Sequence, residues 1–352
     1  MHMEKLLNRS RLVFWATVLI FFLMHLYKLS APPNGYHQFR ESDTAAIALN
    51  YYQEDMSFLK PRVNQRGTTS GIAGSELPLY NYSVALVYSV LGPSHAWARL
   101  LTILAACVSL WLLRRIITAL TDRETALFSV WAMAFSPLFF FYSFKIMPDI
   151  WMLTLLLGAI LGFVKHLKTR KYGFLLLSSL CLILSASIKP LGLSVYLVFL
   201  YLVWREREGR PKRLLVTTVY ALVTFAATYG WFVHARSVNE IYGGSFFYMG
   251  QGLPLFWEKL LVADFYKKLI LQWPFELWIG YLLVPAFIYG CYRAVRERGG
   301  KIYLVWLAAC YIVFALVSSH SYSHDYYTLI IIPPLAAVTG LGLKGALRSG
   351  GW

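Results

Sequence analysis

The chain has 352 residues, of which 58% are hydrophobic and only 14% charged. A soluble domain carries about 25% charged residues, so this composition excludes a soluble globular protein. The net charge of +16 would suggest a nucleic-acid binder in a soluble chain. Here most of the basic residues stand in short clusters between apolar blocks, where the positive-inside rule places them, so no nucleic-acid partner is expected.

Leu12–Leu29, Leu214–Val233 and Ile302–Val317 are apolar blocks with few or no charges. Each approaches the ~20 residues that a helix needs to cross a bilayer. The first follows Lys5, Arg9 and Arg11 like a secretory signal. Its apolar run is long for one, and Ala31 precedes two prolines rather than a good cleavage site, so an uncleaved first helix at 12–29 is expected. A long polar segment, 30–78, follows. Residues 79–91 make a short apolar stretch that ends at Gly92-Pro93 and is expected as a juxtamembrane or partly inserted helix. Further spans are expected at 96–118, 124–143, 149–166, 172–188, 191–204, 214–233, 276–293, 302–318 and 327–346. The expected fold is therefore all-α and polytopic, about ten transmembrane helices in a single domain over 1–352. Both termini lie inside, a second large outer segment covers 234–275, and no separate soluble domain is expected.

The charges divide with this threading. Inner connections at 5–11, 114–123, 165–171, 205–213, 293–301 and 344–348 hold 21 of the 33 Lys and Arg. Eleven of the 17 acidic residues fall on the outer side. Carboxylates contribute little to topology, so their outward bias asks for a functional cause. The four cysteines lie in or at the ends of apolar blocks without metal-like spacing and read as lipid-buried thiols.

The outer turns carry the candidate chemistry. In Phe39-Arg40-Glu41-Ser42-Asp43-Thr44, helical spacing of the following apolar residues suggests that Asp43 opens a helix, where a carboxylate can cap free N–H groups. Glu76 stands just before Pro78 and the next apolar run. In Lys145-Ile146-Met147-Pro148-Asp149, proline suits the first helical position and Asp149 the first turn. Ser187-Ile188-Lys189-Pro190 repeats the lysine beside a proline-broken helix end. One such lysine is ordinarily an interfacial anchor; two on the acidic side are better explained as anion ligands. His320, His324 and Asp325 are too few and too loosely spaced for a firm metal site. Tyr326 and Tyr327 suit an aromatic belt equally well.

In order along the chain, these features resemble the GT-C superfamily of membrane glycosyltransferases, and within it the bacterial protein O-mannosyltransferase and aminoarabinose-transferase group. The features are Arg40-Glu41-Ser42-Asp43, Glu76-Leu77-Pro78-Leu79-Tyr80, Arg99, Met147-Pro148-Asp149, Lys189-Pro190 and His324-Asp325-Tyr326-Tyr327 with Pro333-Pro334. The resemblance implies transfer of a sugar from a polyprenyl-phosphate donor to a hydroxyl acceptor at the outer face of a bacterial inner membrane, with inversion. The acceptor, whether lipid, glycan or protein, stays open. Asp43, Glu41, Glu76 and Asp149 are the implied catalytic carboxylates. The family's paired acids are split here by Ser42, so the base is Asp43 or Glu41, with Asp43 favoured. Arg40, Lys145 and Lys189 would meet the donor phosphate. His324, Asp325, Tyr326, Tyr327 and Tyr80 would contact substrate, with Tyr82 as a further stacking candidate. No cofactor or bound metal is expected, and the other partners are membrane lipids. A transporter of lipid-linked sugars would instead place ionisable residues near mid-membrane in two related halves. A non-catalytic subunit would not need the outer acidic excess.

Overall fold

A computed structural model describes residues 2–206, 209–244 and 258–349. In hydrocarbon every backbone polar group must be satisfied within the chain, and helices do this almost throughout. Among the described residues the sole extended pairing is an isolated antiparallel bridge between Arg62 and Ile72.

Helix α1 covers His2–Met24, α2 Gln38–Gln53, α3 Leu79–Leu91 and α4 His95–Leu120. Then come α5 (Arg123–Ala134), α6 (Pro137–Tyr142), α7 (Asp149–Thr169) and α8 (Tyr172–Ile188). After a 3-10 turn at Pro190–Ser194 the chain continues through α9 (Val195–Arg205) and α10 (Arg210–Tyr242). A single turn, α11 (Ala263–Tyr266), leads through π-helical stretches to α12 (Val284–Arg296). The rest is α13 (Lys301–Leu316), α14 (Ser318–Ser323), a 3-10 segment Asp325–Ile331 and α15 (Ile332–Ser349).

Among the described residues, four helical stretches are alone long and apolar enough to cross a membrane: His95–Leu120, Asp149–Thr169, Arg210–Tyr242 and Asp325–Arg348. Five shorter apolar helices stand among them. Leu12, Leu176 and Leu222 are 71%, 71% and 65% exposed, which is how a helix presents itself to lipid rather than to water. Where helices must meet, small residues allow it: a Cβ on Gly342 of α15 would fall 1.8 Å from the Ala286 carbonyl of α12.

The helix at 79–91 has the expected bounds. Its 13 residues span about 20 Å at 1.5 Å per residue, too short for ~30 Å of hydrocarbon. Three expected spans differ. The one at 124–143 is broken between α5 and α6, because Ser136 caps a new helix whose first residue is Pro137; proline supplies no N–H to continue the old one. The one at 276–293 is a bend of 103° between Ala263–Trp278 and Tyr281–Arg296, made at Gly280 with φ 70°. The one at 214–233 lies within the 33-residue α10, about 50 Å long. Its last turns convert His234–Tyr242 from expected loop into helix.

At the end of the bundle formed by the starts of α5 and α13 and the finish of α12 and α15, ion pairs tie the helices. Lys344 reaches Asp122 (2.7 Å) and Glu297 (3.4 Å), and Arg348 reaches Glu124. The expected catalytic turns collect at the opposite end, where α4 and α7 begin and α8 finishes.

Candidate active site

The start of α2 decides which carboxylate faces where. Gly35 and His37 both take left-handed backbone, φ 79° and 60°, and α2 begins at Gln38. The expected helix start at Asp43 is thus corrected: Asp43 lies in the second turn and caps nothing. Residues two apart on a helix point about 200° apart, so Glu41 and Asp43 take opposite roles in the packing.

Glu41 turns inward with Thr44, Ala45 and Ala48 and is fully buried. Its carboxylate accepts from Lys145 Nζ at 2.8 Å and from the Ile146 N–H at 3.0 Å, with an Arg99 nitrogen at 3.7 Å. Arg99 also donates to the carbonyls of Leu29 and Ala31, and Lys145 to that of Asn34 at 3.3 Å. This knot joins the 29–34 segment, α2, α4 and the 144–147 turn. One carboxylate serves two buried cations, so Glu41→Gln leaves both without a counter-charge. The expected result is a destabilisation of about 3–5 kcal/mol, read as a lower thermal midpoint of the purified protein. An unchanged midpoint would show that the knot contributes nothing to the fold.

Asp43 is half-buried and makes no hydrogen bond or ion pair with a described residue. Burial raises its pKa above the ordinary aspartate value, with Arg40 opposing that rise. Arg40, one helical turn earlier on α2, is ion-paired with Glu76. Burial opposes the Arg40 charge, but Glu76, Tyr326, Asp149 and Tyr327 nearby hold its pKa above the usual arginine range.

Glu76 is delivered by a loop clamped from two sides. Asn239, in the last turns of α10, donates to the Gly74 carbonyl (2.9 Å) and accepts from the Gly74 N–H (2.7 Å). The indole N–H of Trp231 donates to the Ser75 carbonyl at 3.1 Å. A Cβ on Gly74 would sit 1.8 Å from the Ala235 carbonyl, so only glycine lets the loop lie this close to α10. On the other side the Leu77 N–H donates to the Ser187 carbonyl at 2.9 Å.

That bond sets Glu76 beside the end of α8, where Lys189 pairs with Asp149 at the start of α7. The Lys189 ammonium also lies 4.3 Å and 4.7 Å from the ring centres of Tyr326 and Tyr327. Asp149 Oδ2 and His324 Nδ1 are buried without a hydrogen-bond partner among the described residues. Burial first, then the neighbouring His37, His320 and Lys189, pushes the His324 pKa down to about 4, so its ring is neutral at neutral pH. Asp325 accepts from Tyr142 and is bonded to His37 Nε2 at 3.1 Å.

The structure therefore brings together Arg40, Asp43, Glu76, Asp149, Lys189, His324, Asp325, Tyr326 and Tyr327. Two expectations are corrected. Lys145, expected with Lys189 to meet the donor phosphate, is engaged by Glu41 within the buried knot. Tyr80, expected to contact substrate, is fully buried; its hydroxyl donates to the Ala98 carbonyl (2.9 Å) and accepts from Thr102 (3.1 Å). Tyr82 packs edge-on against Tyr51 and Phe58. The sequence reading missed His37, Tyr142 and Asn239. Only His37 stood in a turn-rich polar stretch, and nothing in its neighbours pointed to a partner 288 residues away. Among the described residues, no three His, Cys, Asp or Glu side chains are spaced to hold a metal ion.

This helical bundle has the fold of the solved structures of ArnT and AglB. ArnT from Cupriavidus metallidurans in the apo state matches with a TM-score of 0.69 at 16% identity, over 98% of this chain and 61% of that one. ArnT from the same organism bound to undecaprenyl phosphate matches with a TM-score of 0.67 at 15% identity, over 95% and 60%. The archaeal oligosaccharyltransferase AglB from Archaeoglobus fulgidus, in complex with an inhibitory peptide and a dolichol-phosphate, matches with 0.59 at 10% identity, over 96% and 50%. The chain thus spans about 60% of the length of ArnT. Residues 75–231 match the family model for dolichyl-phosphate-mannose-protein mannosyltransferase, a stretch that contains Glu76, Asp149 and Lys189. No curated protein matches the sequence. The resemblance drawn from short motifs holds in the fold.

Proposed function

We propose that this chain is a membrane glycosyltransferase that moves a sugar from a polyprenyl-phosphate donor to a hydroxyl acceptor. The observation that carries the reading is a half-buried carboxylate, Asp43, without an ion pair among the described residues and one helical turn from Arg40, at the end of the bundle where Glu76 holds Arg40 and Asp149 holds Lys189. The lipid phosphates named with ArnT and AglB support the donor class.

In the reaction Asp43 takes the proton of the acceptor hydroxyl. The acceptor oxygen attacks the anomeric carbon, and the bond from that carbon to the phosphate oxygen breaks. Polyprenyl phosphate departs with the electron pair, and the anomeric carbon inverts. A phosphate is already a good leaving group, so fixed positive charge at its oxygens matters more than acid catalysis. Arg40 and Lys189 supply that charge; Glu76 and Asp149 hold the two cations in position before the donor arrives. Tyr326 and Tyr327 offer ring faces to the sugar, and neutral His324 offers a polar nitrogen. Glu41, Arg99 and Lys145 position α2. The site faces outward from a bacterial inner membrane, a reading that rests on the basic residues gathered at the opposite end.

The test is turnover of a defined polyprenyl-phosphate sugar by the purified chain, followed as release of polyprenyl phosphate. Turnover that continues in EDTA fits the two-cation assignment; turnover abolished by EDTA and restored by a divalent metal refutes it. On a background lacking the native cysteines, Ser70→Cys should react with an impermeant thiol reagent outside the cell and Thr169→Cys should not. The opposite labelling would overturn the outward orientation.

A further inference from the structure

The end of the bundle remote from the proposed site carries a charge cluster that the reaction does not use. Four carboxylates there are already engaged by cations. Asp122 binds Lys344, Glu124 binds Arg348, Glu297 binds Arg293 and Lys344, and Glu206 binds Arg213 and Arg170. Of the arginines at this end without an ion pair, Arg11 on α1, Arg114 and Arg115 on α4, and Arg123 on α5 come together; Arg205, Arg296 and Arg298 are also without one. Among the described residues none of the first four has an ion pair or a hydrogen bond, although Asp122 and Glu124 adjoin Arg123 in sequence. Arg11, Arg115 and Arg123 all lie within electrostatic reach of Arg114. Arg114 lies over the Phe14 ring of α1 at 4.5 Å and Arg115 over the Trp111 ring at 5.9 Å, so the aromatic packing holds these two guanidinium groups in place.

Immediately along the same helices, towards the middle of the bundle, the surface turns apolar. Leu12 and Trp15 on α1 are 71% and 57% exposed, and Val108 and Trp111 on α4 are 46% and 38% exposed. A scattered positive bias would need neither the convergence of three helix ends nor the diversion of the local carboxylates to other cations. Like charges this close repel, and a guanidinium fork matches phosphate oxygens. We infer that the ends of α1, α4 and α5 form a binding site for an anionic phospholipid, its phosphate among Arg11, Arg114, Arg115 and Arg123 and its acyl chains along Leu12, Trp15, Val108 and Trp111. The membrane leaflet at this end supplies the ligand, and the site is independent of the sugar-transfer reading.

The experiment is native mass spectrometry of the full chain from neutral detergent micelles doped with phosphatidylglycerol or phosphatidylcholine. Phosphatidylglycerol should stay bound and phosphatidylcholine should not. Each charge removed near a surface weakens an anionic lipid by roughly fivefold, so Arg114→Gln with Arg115→Gln should reduce phosphatidylglycerol binding by more than about tenfold. Arg114→Lys with Arg115→Lys should keep most of the binding, and Lys212→Gln, on the same face but outside the cluster, should match the native protein. If the glutamine pair does not fold, Arg11→Gln with Arg123→Gln, both exposed, carries the same expectation. Equal retention of phosphatidylcholine, or undiminished phosphatidylglycerol binding in the glutamine variants, overturns the site. Release of the lipid by millimolar inorganic phosphate would assign the cluster to free phosphate instead.

Discussion

Asp43→Asn is expected to fold normally and to lose turnover by about 10²–10⁴-fold. The substitution keeps the size of the side chain and its place on α2, and no described residue depends on the carboxylate for a hydrogen bond. What disappears is the ability to take a proton. The native enzyme should also show an acid limb in its rate profile. A base works only when deprotonated, so the rate falls as pH falls through its pKa. Burial raises that pKa, which places the limb above the ordinary aspartate value of about 3.9. Rates per folded molecule, measured across pH, decide the matter. If Asp43→Asn keeps more than a tenth of native turnover, or keeps the acid limb unchanged, Asp43 is not the base. Glu41→Gln should by contrast lower stability and leave the acid limb where it is, since Glu41 is buried in the knot with Lys145 and Arg99.

Lys189→Met should lower turnover by about 10²–10³-fold, with a smaller loss of donor affinity. The reasoning is differential: the phosphate gains charge as it leaves, so a preset cation stabilises the transition state more than the bound donor. Methionine keeps most of the apolar stem that lies against Tyr326 and Tyr327. The variant also leaves Asp149 buried without its cation, so some loss of stability accompanies it and the rate must be taken per folded molecule. Lys189→Arg should recover part of the turnover, because it restores charge with a different geometry. A purely structural lysine predicts the other pattern, reduced stability with native turnover in the folded fraction of Lys189→Met. That outcome would leave the donor phosphate to Arg40.

The class of this protein was legible in its residues because the constraints that set it are local. Apolar runs of spanning length, basic connections on one side and proline-marked turns on the other each need only a few neighbouring residues. They led to an all-helical membrane protein with its chemistry at one end, and to most of the side chains found there. The roles within the cluster were decided by partners remote in sequence. Glu41 meets Lys145 across 104 residues, Asp149 meets Lys189 across 40, and His37 meets Asp325 across 288. The sequence favoured Asp43 over Glu41 as the base but left both open; the left-handed turn at Gly35 and His37 starts α2 at Gln38 and turns Glu41 into the packed interior. Lys145 and Lys189 read as equivalent cations until each was claimed by a different carboxylate. Hydrophobic content and charge bias belong to a segment by itself. Which way a polar side chain faces depends on where its helix begins and on what packs against it, and only the tertiary structure settles both.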